Sequence, residues 1–244
     1  MDAQSLSNVL GILRLMNAKN TKTLDVIKGW CGADATEEVY LRVACYVQEQ
    51  IRLAQAVIAS SQLTEEAKAG VNGTLTGMSN AFSLGHLGTP FNNHVGNVAG
   101  SISNFVILLS ASGIGESARQ LPEVSDLVRE ITETMTLFDD PAIDPAVRDV
   151  AKRHLQILST LLQHIPIFGL EAALTSYFEL MMKVRRTDSG SSETSHAKTA
   201  SIWARMTTWG ERFDSIDKII NGAVRLGDTA DKAIGLLDYI PRHP

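Results

Sequence analysis

Apolar residues recur every three or four positions along almost the whole chain, and no stretch of useful length alternates apolar with polar as a half-buried strand would. The pattern predicts an all-α protein, a multi-helix bundle of roughly eight to ten helices. Met1 to Asn20 reads as the first helix. With Asp2 at its start and Arg14 inside the apolar run, it lacks the charge order of a secretion signal. From about Thr36 to Ser60, Val39, Val43, Val47, Ile51, Ala54 and Ile58 step along one face while Glu38, Arg42, Glu49 and Arg52 fall away from it. Asp34 or Thr36 stands where the cap of that helix belongs. Pro122 opens another helix, carrying Val124, Leu127, Val128, Ile131, Met135 and Phe138, which stops before Asp139-Asp140-Pro141. A further one begins near Asp144-Pro145 and is interrupted at Pro166, where the ring removes a hydrogen bond and crowds the preceding turn.

Ile167 to Val184 is apolar nearly all round, as expected of a helix at the centre of a bundle. Its polar line is Glu171, Thr175, Glu179 and Lys183, four apart, and reads as a solvent-facing seam with a Glu179 to Lys183 ion pair. The polar run TDSGSSETSHAKT, residues 187–199, then reads as a flexible linker. It divides a helical bundle, 1–186, from a C-terminal helical tail, 200–244. The tail carries Trp203, Met206, Trp209, Phe213, Ile216, Ile220 and Val224 at helical spacing, with Arg205 and Arg212 on other faces, and a short last helix from Asp228 through Leu237. This apolar face either docks on the bundle or binds a partner chain. Trp203, Trp209, Phe213, Ile216 and Ile220 are the candidate interaction residues, because aromatic anchors dominate such contacts.

Composition narrows the class. Over 244 residues, 44% are hydrophobic and 20% charged, enough apolar surface for a sizeable core. A net charge of -5 argues against a protein whose main partner is a nucleic-acid backbone. The acids are uneven: from Glu123 to Asp149 eight stand against Arg129 and Arg148, a face that is either solvated or fitted to a basic partner. Two cysteines, Cys31 and Cys45, make at most one bridge, so the reducing cytoplasm is the expected setting, with a membrane-associated or organellar location as the alternative. Cys31 reads as lying just before a helix start, a position that activates a thiol.

The strongest departure from average composition is residues 69–115, which contain no Asp, Glu, Lys or Arg and hold nine of the eighteen glycines. Gly73 to Gly77 and Gly96 to Gly100 are GxxxG spacings, which let two helix backbones approach closely. Phe105 to Leu109 is an unbroken apolar run, with Phe105, Val106 and Leu108 as packing or membrane candidates. Three readings compete: a tight helical hairpin hidden in the core, a surface buried by another chain in an oligomer or complex, and a membrane-contacting segment. The last would use 69–115 together with 155–182, although its serines, asparagines and glycines make a poor permanent span.

Candidate chemistry is sparse. Gly85 to Gly96 reads GHLGTPFNNHVG, and His86, Asn93 and His94, with Glu171 from elsewhere, form a candidate ligand site. A zinc site wants three or four ligands, so no metal and no cofactor is assigned. His154 falls on the buried side of its helix, and His164 near a helix C-terminus, where the dipole favours the charged imidazole. Gly113-Ile114-Gly115 lacks the Lys and Ser or Thr of a phosphate-binding loop, and no GxSxG is present. The function expected is a noncatalytic interaction or scaffold protein, a subunit or accessory part of a larger assembly that binds a protein partner or itself. The alternatives are a membrane-active helical protein and a helical enzyme whose site gathers residues distant in sequence.

Overall fold

The computed structural model of the chain describes residues 4–17, 21–32, 35–111 and 121–221. Their regular structure is helical throughout, so the expected all-α multi-helix bundle is what the chain forms. The described residues fall into two compact units. One is built from the chain up to residue 119 together with 164–173, the other from 120–163 together with the chain from 174 onward.

The first unit contains α1 (Gln4–Asn17), α2 (Thr23–Cys31), α3 (Glu37–Ala59), α4 (Glu65–Ala81), the single turn α5 (Asn92–Val95) and α6 (Val98–Ala111). Helix α1 is its centre. Leu6, Val9, Leu10, Ile12, Leu13 and Met16 are all buried, and α1 packs on both α3 and α6. At Gly11 the backbone comes so close to residue 166 that an added Cβ would sit 2.8 Å from the Pro166 carbonyl oxygen. A buried hydrogen bond of 2.8 Å from Asn8 Nδ2 to Gln50 Oε1 fixes the register of α1 on α3. Helix α3 keeps the face its sequence predicts, with Val39, Val43, Val47, Ile51, Ala54 and Ile58 buried. Thr36 is its N-cap residue, without a side-chain capping bond. Trp30, Phe82, Phe91 and Phe168 form an aromatic cluster between α2, the end of α4 and residues 164–173.

The second unit contains α7 (Pro122–Leu137), α8 (Pro145–Gln163), the later part of α9 (Ile165–Asp188), α10 (Glu193–Thr207) and α11 (Trp209–Asn221). Helices α7 and α8 pack against each other, and α11 packs on α7. Between α7 and α8 the Arg148 guanidinium donates to the carbonyls of Phe138, Asp140 and Ile143 at 3.0 to 3.2 Å. It thereby satisfies acceptors that the end of α7 leaves over.

Three expectations are corrected here. The polar run 187–199 is largely helical: α9 continues to Asp188, and Ser192 caps α10 by accepting from the Ser195 N–H at 3.3 Å. Ser195 and Thr199 are buried, and Ser195 Oγ accepts the Asp144 N–H just before α8. Small hydroxyls resemble a linker in composition; here they make a cap and a tight helix contact. The sharp break beyond α8 is at Gly169 (φ 76°, ψ 161°), inside the 167–184 stretch expected to be a central helix. Cys31 ends α2 and is buried, so no helix N-terminus activates it; Cys45 is exposed, and both are free. The expected helix at 228–237 lies outside the described residues.

Candidate functional site

The uncharged stretch does not disappear into the core. Val71, Leu75, Gly77, Met78, Ala81, Phe82, Leu87, Phe91, Val98, Phe105 and Leu109 are buried, but between them Ala69, Gly70, Gly73, Thr76, Asn80, Leu84, Gly88, Asn97, Ser103 and Ile107 are exposed. The hidden-hairpin reading is therefore corrected. Helices α4 and α6 each bury one face and turn the other to solvent, uncharged beyond the first turn of α4 where Glu65, Glu66 and Lys68 stand, because both sit on the outside of α1 and α3. Where they run side by side, joined by the 3.0 Å Thr74 to Ser101 hydroxyl contact, lies an open groove of about 490 Å³. Leu63, Gly70, Val71, Ile107 and Leu108 line it, together with Ala67, the polar Thr64 and Asn104 and the charged Glu66. Ile107 is 67% exposed, and Leu84, after α4, is 69% exposed. Phe105 is core, and Val106 and Leu108 are half-buried, so the solvent-facing member of that apolar run is Ile107.

The glycines play different parts from those their spacing implies. An added Cβ at Gly73 meets nothing within 4 Å, whereas at Gly77 it would press on the His94 carbonyl group and come within 3.3 Å of Val95 Cα. The close approach at Gly77 is therefore between α4 and the single turn α5. Gly96 adopts φ 62° and closes α5, so it lies outside any long helix; a Cβ at Gly100 would meet only the Asn97 side chain. Neither GxxxG pair brings two helices together through both of its glycines.

The loop from Leu84 to Phe91 is held by the start of α2. Thr23 and Leu24, whose N–H groups have no partner inside α2, donate to the Thr89 and Leu87 carbonyls at 3.2 and 2.8 Å, and Phe91 N–H donates to the Thr21 carbonyl. This places His86 and His94 together, with ring centroids 4.8 Å apart. His86 Nδ1 lies 3.0 Å from Ser83 Oγ, and His94 Nε2 lies 2.7 Å from Thr89 Oγ1. Asn93 and Glu171 are exposed. No third His, Cys, Asp or Glu joins the two histidines in a metal-binding group among the described residues, so the expected four-residue site reduces to a histidine pair.

The candidate tail residues are mostly spoken for inside their own unit. Trp209, Phe213 and Ile216 are fully buried, and Tyr177 packs against Trp209 and Phe213 at 6.5 and 5.3 Å. Tyr177 Oη donates to the Met206 carbonyl at 3.2 Å, and burial pushes its pKa up to about 12. Trp203 is half-buried under the Arg185 guanidinium, 6.0 Å from its ring. As a set of exposed partner anchors these residues are corrected: their period fits α10 and α11, and the apolar face they make is covered by the protein itself. The Ile220 side chain lies outside the described residues.

The acidic run is also engaged internally. Arg205 reaches Glu133 at 2.7 Å and Glu130 at 3.7 Å, Arg212 reaches Glu130 at 3.1 Å, and Lys198 reaches Asp140 at 2.9 Å. His164, expected to favour its charge, is instead held below the ordinary imidazole value by burial, against a smaller opposing effect from its hydrogen bond to the Trp30 backbone. Sequence reasoning missed Leu63, Gly70 and Ile107, which line the groove, and Ser83 and Thr89, which orient the histidines. For all but Leu63, which precedes Glu65 and Glu66, the signal available was the absence of charge around them. By length and composition α9 is apolar enough to cross a membrane, but most of it is buried and it bends at Gly169. Comparison with family models, curated proteins and solved structures finds no match.

Proposed function

We propose that the protein is a noncatalytic interaction module of a larger assembly, and that its contact face is the uncharged outer surface of α4 and α6. The observation that carries this reading is Ile107, 67% exposed beside a mostly apolar groove of about 490 Å³ whose one charged lining residue is Glu66, and set in a run of 47 residues without charge. Solvated surfaces carry charged side chains at roughly a quarter to a third of positions, and the core of a protein contact is depleted in them. The partner is a protein that presents an apolar, uncharged helix or loop to the groove. A cytoplasmic setting belongs to the same reading.

The test begins with the solution mass of the full chain by light scattering, with and without anionic vesicles. A photo-crosslinking residue is then placed at Ile107 and, as a control, at the exposed Glu193 of α10. Crosslinking to one protein from position 107 and not from 193, lost in a Leu108→Arg variant, is the result expected. A higher mass without lipid makes the partner a second copy of the chain. Vesicle binding that Leu108→Arg abolishes replaces this reading with the membrane-active one, for which the exposed, uncharged face of α6 is the supporting observation.

A further inference from the structure

We propose that His86 and His94 form a two-histidine site for a divalent transition-metal ion, with Cu²⁺ bound most tightly. This inference is independent of the contact face proposed for α4 and α6. It begins with proton accounting. A serine or threonine hydroxyl has one proton to donate, and backbone carbonyls can only accept. Ser83 Oγ donates its proton to the Asn80 carbonyl at 2.8 Å, so in the contact with His86 the ring Nδ1 is the donor. Thr89 Oγ1 donates to the His86 carbonyl at 2.6 Å, so in the contact with His94 the ring Nε2 is the donor. These contacts select the tautomer of the neutral ring, with the proton on Nδ1 in His86 and on Nε2 in His94. Each is left with one lone-pair nitrogen, Nε2 of His86 and Nδ1 of His94.

This is the arrangement that metal-binding histidines require, in which the far nitrogen is fixed by a hydrogen bond so that the near one keeps its lone pair for the ion. The spacing agrees. Two imidazoles on one ion, with bonds of about 2.0–2.1 Å and an angle of about 90–110°, hold their ring centroids roughly 4.5–5.2 Å apart. The observed separation is 4.8 Å.

The surroundings fit as well. Residues 69–115 contribute no cation, the backbone of Lys22 pairs with Pro90 of the same loop, and His86 is exposed, which leaves an entry path and room for water or another molecule's ligand in the remaining positions. With two protein ligands the site is an open, exchangeable one. Among first-row divalent ions, imidazole sites prefer Cu²⁺ over Ni²⁺ and Zn²⁺.

The test titrates the full chain with Cu²⁺ alone, in a buffer that does not chelate, and reads affinity by calorimetry and coordination by electron paramagnetic resonance. The expected result is one tight ion per chain with two equivalent nitrogen couplings. Affinity should fall at least about tenfold in His86→Ala and in His94→Ala, with a comparable loss in Thr89→Val, which removes only the orienting hydroxyl. His196→Ala, which alters the separate His196 to Asp188 pair, leaves affinity unchanged. Circular dichroism of the metal-free variants checks their fold; if His94→Ala fails to fold, the exposed His86→Ala decides alone. Affinity unchanged in His86→Ala, or copper bound through a single nitrogen, overturns the proposal. So does nitrogen NMR that finds the ring protons on His86 Nε2 and His94 Nδ1.

Discussion

Gly73 and Gly77 offer one test in which two identical substitutions on one helix should have opposite effects. Both glycines lie inside α4, and alanine is favoured over glycine in a helix interior by about 1 kcal/mol. At Gly73 nothing stands within 4 Å of the added methyl, so Gly73→Ala should raise stability by about 1 kcal/mol. At Gly77 the same methyl would lie 3.1 Å from the His94 carbonyl carbon, with the carbonyl oxygen closer still, and 3.3 Å from Val95 Cα. These are backbone atoms that yield only if α5 moves as a whole. Forced overpacking of this kind costs about 2–3 kcal/mol, at the upper end of its range, and the helix gain offsets about 1, leaving a net loss of about 1–2 kcal/mol. In a chain of 244 residues each kcal/mol moves the thermal midpoint by roughly 2–4 °C. Thermal unfolding followed by circular dichroism should therefore show Gly73→Ala about 2–4 °C above the parent and Gly77→Ala about 2–8 °C below it. Hydrogen exchange at the amides of α4 and α5 would locate the change in the first unit. If both variants lose stability by similar amounts, the glycine pair acts as a helix-packing motif and the reasoning from local space is wrong.

Other outcomes follow from the second unit and from the buried ionisable groups. His164, neutral and held below its ordinary value of 6.5 by burial, contributes stability that is present above pH 6.5 and lost as pH falls toward the lowered folded value. Urea midpoints measured across that range should fall on acidification, and less steeply in His164→Gln. Tyr177 runs the other way: with its folded value raised to about 12, the fold holds the neutral phenol, and stability is lost as pH rises from 10 toward 12. Tyr177→Phe should cost about 1–2 kcal/mol at neutral pH through the lost bond to the Met206 carbonyl, and should flatten the alkaline limb of the same urea series. Glu130→Ala, which removes the shared partner of Arg205 and Arg212, should cost about 1 kcal/mol in low salt and less at high ionic strength. An equal cost in both salts would mean that packing, not charge, is what Glu130 supplies.

The helices with a wide apolar stripe were legible from the sequence. The reading from about Thr36 to Ser60 agrees with α3 at Glu37–Ala59, and Pro122 stands at the start of α7, where its missing N–H costs nothing. Short or polar elements were not. Helix α2 is nine residues long, and its first N–H groups are satisfied by carbonyls some 65 residues away in sequence. The start of α10 is polar because Ser192 and Ser195 act as cap and contact. The candidate site divides in the same way. Absence of charge marked 69–115 as unusual, but only the packing of α4 and α6 on α1 and α3 decides that Ile107 faces outward and Phe105 inward.

What the sequence determined by itself is therefore the fold class and the long helices, since the period of apolar positions is a local property that each helix carries along its own length. It also marked the stretch without charge and the loop with two histidines. Tertiary structure decided the pairings: Arg205 and Arg212 with Glu130, Tyr177 with the junction of α10 and α11, and His86 with His94 through Ser83, Thr89 and the start of α2. Each joins residues whose spacing in the chain bears no fixed relation to their distance in space. A charge, a hydroxyl or an imidazole acquires its role from the partner that packing brings to it, and no repeat along the chain records that partner.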